Sequence, residues 1–315
     1  MQQKIEWVNA LKTIGILAVI LGHIASPWGQ FIFSWHMPLF FLVAGFFIKF
    51  DLDIKSFLIK DFKRLLAPYF IFTLFALVVT IAKVYVLHRP SLDYGQELLA
   101  IFFWMNESSL MHTYGFVLWF LPALFLARFF LYLIKKYIKF VLIQVLIVVA
   151  LFIISFYITL PFALDKAFNA VIWVFLGNTL MRLYRGDREI IYFLSFVFVI
   201  GIFVFYGVPS LNMAAKYYVE PVINLLWAAS FVTLLVFVLK SFNYNKELTR
   251  FINSWGGNTM ILFIIEPYTN NIASIFVEKI HFGNWSLKFL ISLIILQCLL
   301  LVKQRYERLW IFKYV

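Results

Sequence analysis

Residues 12–49 read KTIGILAVILGHIASPWGQFIFSWHMPLFFLVAGFFIK, with a lysine at each end and no Asp, Glu, Lys or Arg between them. Two apolar runs flank a break at Pro27, and Trp28, Trp35 and Pro38 mark the return of the chain. A helix that crosses a bilayer needs about 20 mostly apolar residues. The stretch therefore reads as two spans, 11–27 and 33–50, joined by a tight hairpin whose tryptophans suit the interface.

Working outward, the same kind of run recurs at 66–88, 115–134, 139–160, 167–183, 189–208, 220–240, 258–278 and 286–303, which makes ten expected spans. A shorter apolar piece, 98–105, cannot cross and reads as re-entrant or interfacial. Of the 315 residues, 64% are apolar and 13% charged, and the mean hydropathy is +0.93. Soluble domains average about 45–50% apolar and about 25% charged. A water-soluble fold could not hide that much apolar surface, so the lipid bilayer is the solvent. The expectation is an all-α integral membrane protein, a single domain over 1–315. We find no linker tract, no internal repeat and no cleavable signal. The one cysteine, Cys298, excludes an intramolecular disulfide and a cysteine metal cluster.

A net charge of +12 would point to nucleic acid in a soluble chain. Here the charges sort by loop. One face carries Lys4, Lys49, Lys55, Lys60, Lys63, Arg64, Lys135, Lys136, Lys139, Arg182, Arg185, Arg188, Lys240, Lys246, Arg250, Lys303, Arg305, Arg308 and Lys313, nineteen in all. The other carries six: Lys83, Arg89, Lys166, Lys216, Lys279 and Lys288. The positive-inside rule then places both termini in the cytoplasm, and no nucleic-acid partner is needed to explain the charge.

Ionisable groups at membrane depth cost about 2.5–3.5 kcal/mol each on insertion scales, so they mark where chemistry is to be sought. Lys12 and His23 lie eleven positions apart in the first span. At about 100° per residue that is roughly 20° beyond three turns, and at about 1.5 Å rise it is roughly 16 Å. The two side chains therefore share one helix face, a cation near the cytoplasmic end and an imidazole beyond mid-depth. That column suits a long acyl carrier, with phosphates held below and a thioester arriving where proton transfer is available. Snorkelling of Lys12 to the interface explains the lysine equally well.

His36, in Trp35-His36-Met37-Pro38, lies in the same hairpin and is placed to line the same cavity or to sit in a solvated loop. Lys63-Arg64 puts cations at the mouth of the third span, where topology alone would also put them. Glu266, after Ile261-Leu262-Phe263-Ile264-Ile265 and before Pro267, is the strongest anomaly, since a carboxylate there must be protonated or paired. His23 is a candidate partner. Trp119 and Asp165 are weaker candidates for contact with a polar acceptor; packing and surface solvation account for them as well. His88, His112 and His281 read as loop residues. No phosphate loop, metal-binding spacing or serine elbow is present.

Leu11-Lys12 with Gly22-His23, His36-Met37-Pro38-Leu39-Phe40-Phe41, Lys63-Arg64-Leu65-Leu66-Ala67-Pro68-Tyr69, Leu118-Trp119-Phe120-Leu121 and Gly256-Gly257-Asn258-Thr259 together resemble the acyltransferase-3 family of bacterial integral-membrane acyltransferases. The resemblance runs from the first span to the ninth, and its first two motifs are the specific ones. It implies ten helices in the bacterial cytoplasmic membrane, with acyl-CoA (commonly acetyl-CoA) as donor and no bound cofactor. The acceptor it implies is a sugar hydroxyl of a surface polysaccharide or its lipid-linked precursor. By the motif match it implies catalysis at His23, with Lys12 and Arg64 at the family's basic positions and so candidates for donor binding; His36 and Glu266 join His23 as catalytic candidates from the reading of the residues above. Two positions depart from the family pattern: Asn9 where an acid commonly precedes the basic residue, and Glu266 where a histidine often stands. The competing reading is a transporter or flippase of lipid-linked sugars that uses Glu266 for proton coupling.

Overall fold

The computed structural model describes residues 6–88, 92–186, 188–280 and 284–306; Lys4, Arg89, His281, Arg308 and Lys313 lie outside them. Helix makes up 81% of the structure. Among the described residues, strand is confined to the pair Leu211–Asn212 and Tyr217–Tyr218, a small antiparallel hairpin.

Among the described residues eleven helices have eleven residues or more: α1 Glu6–His23, α2 His36–Phe46, α3 Ala67–Val86, α4 Phe120–Tyr137, α5 Val141–Ser155, α6 Leu164–Arg185, α7 Glu189–Tyr206, α8 Pro221–Ser241, α9 Lys246–Gly257, α10 Thr259–Ile280 and α11 Trp285–Arg305. Every segment expected to span overlaps one of them. Seven helical stretches among the described residues are long and apolar enough to cross a membrane: Gly29–Phe46, Ile54–Val86, Tyr114–Tyr137, Glu189–Tyr206, Pro221–Ser241, Thr259–Ile280 and Trp285–Arg305. The three remaining segments correspond to α1, α5 and α6. The helix α5 has only 15 residues, while α1 and α6 carry charges and amides that lower their hydropathy.

Position explains the difference. α1 and α6 pack among other helices, so protein covers their polar groups. At the periphery, only 17% of the α7 and α11 windows is buried, and lipid requires apolar side chains nearly all round. Close crossings hold the interior together. A Cβ at Gly177 of α6 would fall 2.0 Å from the Leu42 carbonyl oxygen of α2, and one at Gly45 would fall 2.2 Å from that of Val174. Small residues at such a crossing let membrane helices approach backbone to backbone.

Two elements differ from the sequence reading. α1 stops at His23, four residues before the expected end at 27, and the short helix Gly29–Phe33 bridges to α2. Pro38 then stands in the first turn of α2, where its missing N–H goes unneeded. α9 was not expected, because its polar face disqualifies it as a span. It lies against α1 instead: Asn9 Nδ2 donates to Asn253 Oδ1 at 2.7 Å, and Thr13 Oγ1 donates to the Ile252 carbonyl at 3.3 Å. A Cβ at Gly256 would sit 2.1 Å from the Asn9 carbonyl oxygen, so glycine is required at this contact. The 98–105 piece is a short helix, Tyr94–Leu99, that runs into a π-turn at Ala100–Trp104 and leaves Phe102, Phe103 and Trp104 exposed.

Candidate active site

His23 is the last residue of α1, and α10 grips it at two points. Its Nδ1 lies 2.7 Å from Glu266 Oε2, and Asn270 Nδ2 donates to its backbone carbonyl at 2.9 Å. The second bond satisfies a carbonyl that the helix end leaves open. Glu266 and Asn270 are four residues apart, so both project from one face of α10. Between them Pro267 cannot bond back to the Phe263 carbonyl, a local break in the ladder beside the carboxylate.

The Glu266 side chain is fully buried, while that of His23 keeps 21% of its surface. With Glu266 ionised, Nδ1–H donates to it and the proton-accepting nitrogen is Nε2. The second Glu266 oxygen, Oε1, is buried without a hydrogen-bond partner among the described residues.

His23 and His36 line one small cavity of about 50 Å³ together with Glu107, Trp119, Asn212 and Phe263. That volume holds one or two waters, each taking about 30 Å³ in the liquid. His36 is buried, and its Nδ1 donates to the Ile32 carbonyl at 2.8 Å, so its Nε2 is also left as acceptor in the neutral ring. Phe33 meets the His36 ring edge to face at 5.1 Å. Glu107 comes from the loop between α3 and α4. Burial raises its carboxyl above the usual range, and the charges of Lys166 and His23 pull it back.

Lys12 and Arg64 line a second cavity, of about 150 Å³, with Arg128, Phe40, Phe120 and Phe263. Arg64 reaches it from the π-turn Phe62–Leu66, an irregularity of a kind frequent at functional sites. Arg128 is buried and tied to buried Asp61, with Nε–Oδ2 at 2.7 Å, and its Nη1 donates to the Ala44 carbonyl. Phe263 borders both cavities and packs on Phe120 with ring centroids 4.3 Å apart. The structure thus brings Lys12 and Arg64 together around one cavity that Phe263 lines. It brings His23, His36 and Trp119 together around another that Phe263 also lines, with Glu266 held against His23.

Asp165 is placed elsewhere. It is buried at the start of α6, 2.6 Å from Lys216 Nζ, and lines neither cavity.

Four residues of the site escaped the sequence reading. Arg128 is an ionisable residue inside a span, and the rule that singled out Glu266 applies to it equally. Its partner Asp61 reads as a loop charge, and Glu107 and Asn270 carry no signal until the chain is folded. Among the described residues no cluster of three or more His, Cys, Asp or Glu side chains is arranged to hold a metal ion.

The fold and the site define a multi-pass membrane protein with an imidazole–carboxylate pair opening on an internal cavity. A family model described as "Acyltransferase domain" matches residues 5–303, nearly the whole chain, and the protein belongs to this family, acyltransferase-3. No curated protein and no solved structure matches it significantly.

Proposed function

We propose that the protein is an O-acyltransferase of the bacterial cytoplasmic membrane that moves a short acyl group, most simply acetyl, from cytoplasmic acyl-CoA to a sugar hydroxyl of a surface polysaccharide or its lipid-linked precursor. Ten helices cross the bilayer with both termini inside. The nineteen-to-six division of basic residues supports that orientation. The observation that carries the reading is the His23–Glu266 pair beside a cavity whose wall, Phe263, it shares with a cavity lined by Lys12, Arg64 and Arg128.

Lys12 and Arg64 hold donor phosphates by charge, and the pantetheine arm passes Phe263 to bring the thioester to His23. His23 Nε2 takes the proton of the acceptor hydroxyl as the oxygen attacks the thioester carbonyl. The new C–O bond forms, the C–S bond breaks, and the proton leaves on the thiol of CoA. Glu266 holds Nδ1–H and stabilises the imidazolium between the two transfers. His36 and Trp119 position the sugar, one through a hydrogen bond and the other through its ring face. The 50 Å³ volume around the histidines supports a small acyl group.

Membranes containing the protein, given acetyl-CoA labelled in the acetyl group, are expected to transfer label to glycan or glycolipid, and His23→Ala membranes are expected not to. Movement of a lipid-linked sugar across the bilayer with no label incorporated would replace this reading with the transporter one.

A further inference from the structure

The largest cavity described here takes no part in that mechanism. It measures about 910 Å³ and lies between the ends of α2, α4, α5 and α6. Lys49, Lys135, Arg182 and Arg185 are among its lining residues, and among the described residues no carboxylate is. We infer that this cavity docks the nucleotide end of the donor, the phosphorylated adenosine of CoA. The inference rests on the transferase reading above and adds a site to it.

Charge is the first support. Positive-inside sorting explains basic residues at this end of the helices, but it does not explain four of them around one cavity with no counter-charge among the described residues. Among the described residues none of the four is within ion-pairing distance of a carboxylate. Arg128, by contrast, is neutralised by Asp61. The groups that hold two of the four are neutral: Lys135 Nζ donates to Gln144 Oε1 at 2.7 Å and sits 4.6 Å above the Phe175 ring, and Arg182 Nη2 donates to Asn178 Oδ1 at 3.4 Å. Oriented cations with uncancelled charge are what the phosphate monoester of that nucleotide requires, while the diphosphate stays with Lys12 and Arg64.

Size and place supply the rest. Small-molecule sites run from about 300 to 1,000 Å³. The cavities at Lys12 and at His23, about 150 and 50 Å³, are too small for a purine, a ribose and three phosphates. Phe47 lines both the 910 Å³ cavity and the Lys12 cavity, as Phe263 lines both the Lys12 and His23 cavities. A donor with its adenosine beside Arg182 therefore has the Lys12 and Arg64 cations next along the molecule and His23 beyond them. Gln144, Asn178 and Thr179 make this part of the wall polar, but their side chains are already bonded within the protein, so the cations carry the argument.

The test uses the full-length protein in phosphatidylcholine nanodiscs. Adenosine 3′,5′-bisphosphate is expected to bind the wild type, and Arg182→Ala/Arg185→Ala to weaken it at least tenfold, with a matching rise in KM for acetyl-CoA. Acetylpantetheine, which lacks the nucleotide, is expected to serve both proteins within twofold of each other. Arg182→Lys/Arg185→Lys is expected to keep most of the nucleotide affinity, which separates charge from folding. Unchanged nucleotide affinity in the alanine variant would overturn the inference, as would an equal loss with both donors. So would a loss confined to phosphatidylglycerol binding, which would assign the cavity to a lipid headgroup. A wild type that binds the bisphosphate but transfers no acetyl would instead defeat the transferase reading and leave the docking site standing.

Discussion

Two buried carboxylates in this membrane domain meet a basic partner from a distant element at almost the same distance, 2.7 Å for Glu266 with His23 and 2.6 Å for Asp165 with Lys216. Their surroundings differ. Lys216 also donates to the Ser155 and Ile158 carbonyls, which closes that pair off and fastens the Leu211–Tyr218 hairpin to the bundle. His23 keeps one edge on a cavity, with Glu266 behind it. An ion pair within a membrane domain is therefore no mark of chemistry by itself. What separates the two is whether one partner retains a face that a ligand can reach.

Substitutions that dismantle one region and spare the other test this contrast. The largest effect belongs to His23→Ala. Loss of a general base costs about 10²–10⁴-fold in rate, so acetyl transfer should fall to background while the protein still inserts, with a lower melting temperature because buried Glu266 loses its partner. Glu266→Gln keeps the shape but loses the charge behind the imidazole, and turnover should fall by about 10²-fold; a rate within twofold of wild type would demote Glu266 to a packing residue. Arg64→Ala acts in the other cavity that Phe263 lines. A hydrogen bond to a charged group contributes about 1.5–3 kcal/mol, so KM for acetyl-CoA should rise about 10- to 100-fold, more steeply at low salt, with kcat changing less. Asp165→Asn reverses the pattern. Breaking a buried pair costs about 3–5 kcal/mol of stability, so the melting temperature should drop while the rate per folded molecule stays within about twofold. A selective loss of rate there, with melting unchanged, would make Asp165 an acceptor contact and erase the contrast.

The sequence made the fold legible where one rule acts alone. Apolar runs located the seven helical stretches that, among the described residues, are long and apolar enough to cross a membrane, because lipid imposes the same demand on every crossing helix. It said less about α9, whose amphipathic face makes sense only against Asn9 and Thr13 of α1. In the site, the Lys12–His23 column was readable because both residues lie on one helix, whose period fixes their angle. Glu266 announced itself by needing a partner, but the choice of His23, 243 residues away, depended on how α10 packs on α1. Arg128–Asp61 and Asn270–His23 bridge elements far apart in the chain. Glu107 arrives on a loop whose course no local pattern fixes.

Phe263 has a consequence for the cell as well as for the reaction. If, as proposed, one substrate enters from each side of the membrane, a continuous thread of water between the two entrances would conduct protons. One aromatic ring, braced by Phe120, is the common wall of the two chambers. On the path proposed above, the donor arm passes a side chain that lines both chambers, so that ring would also decide whether water runs continuously between them.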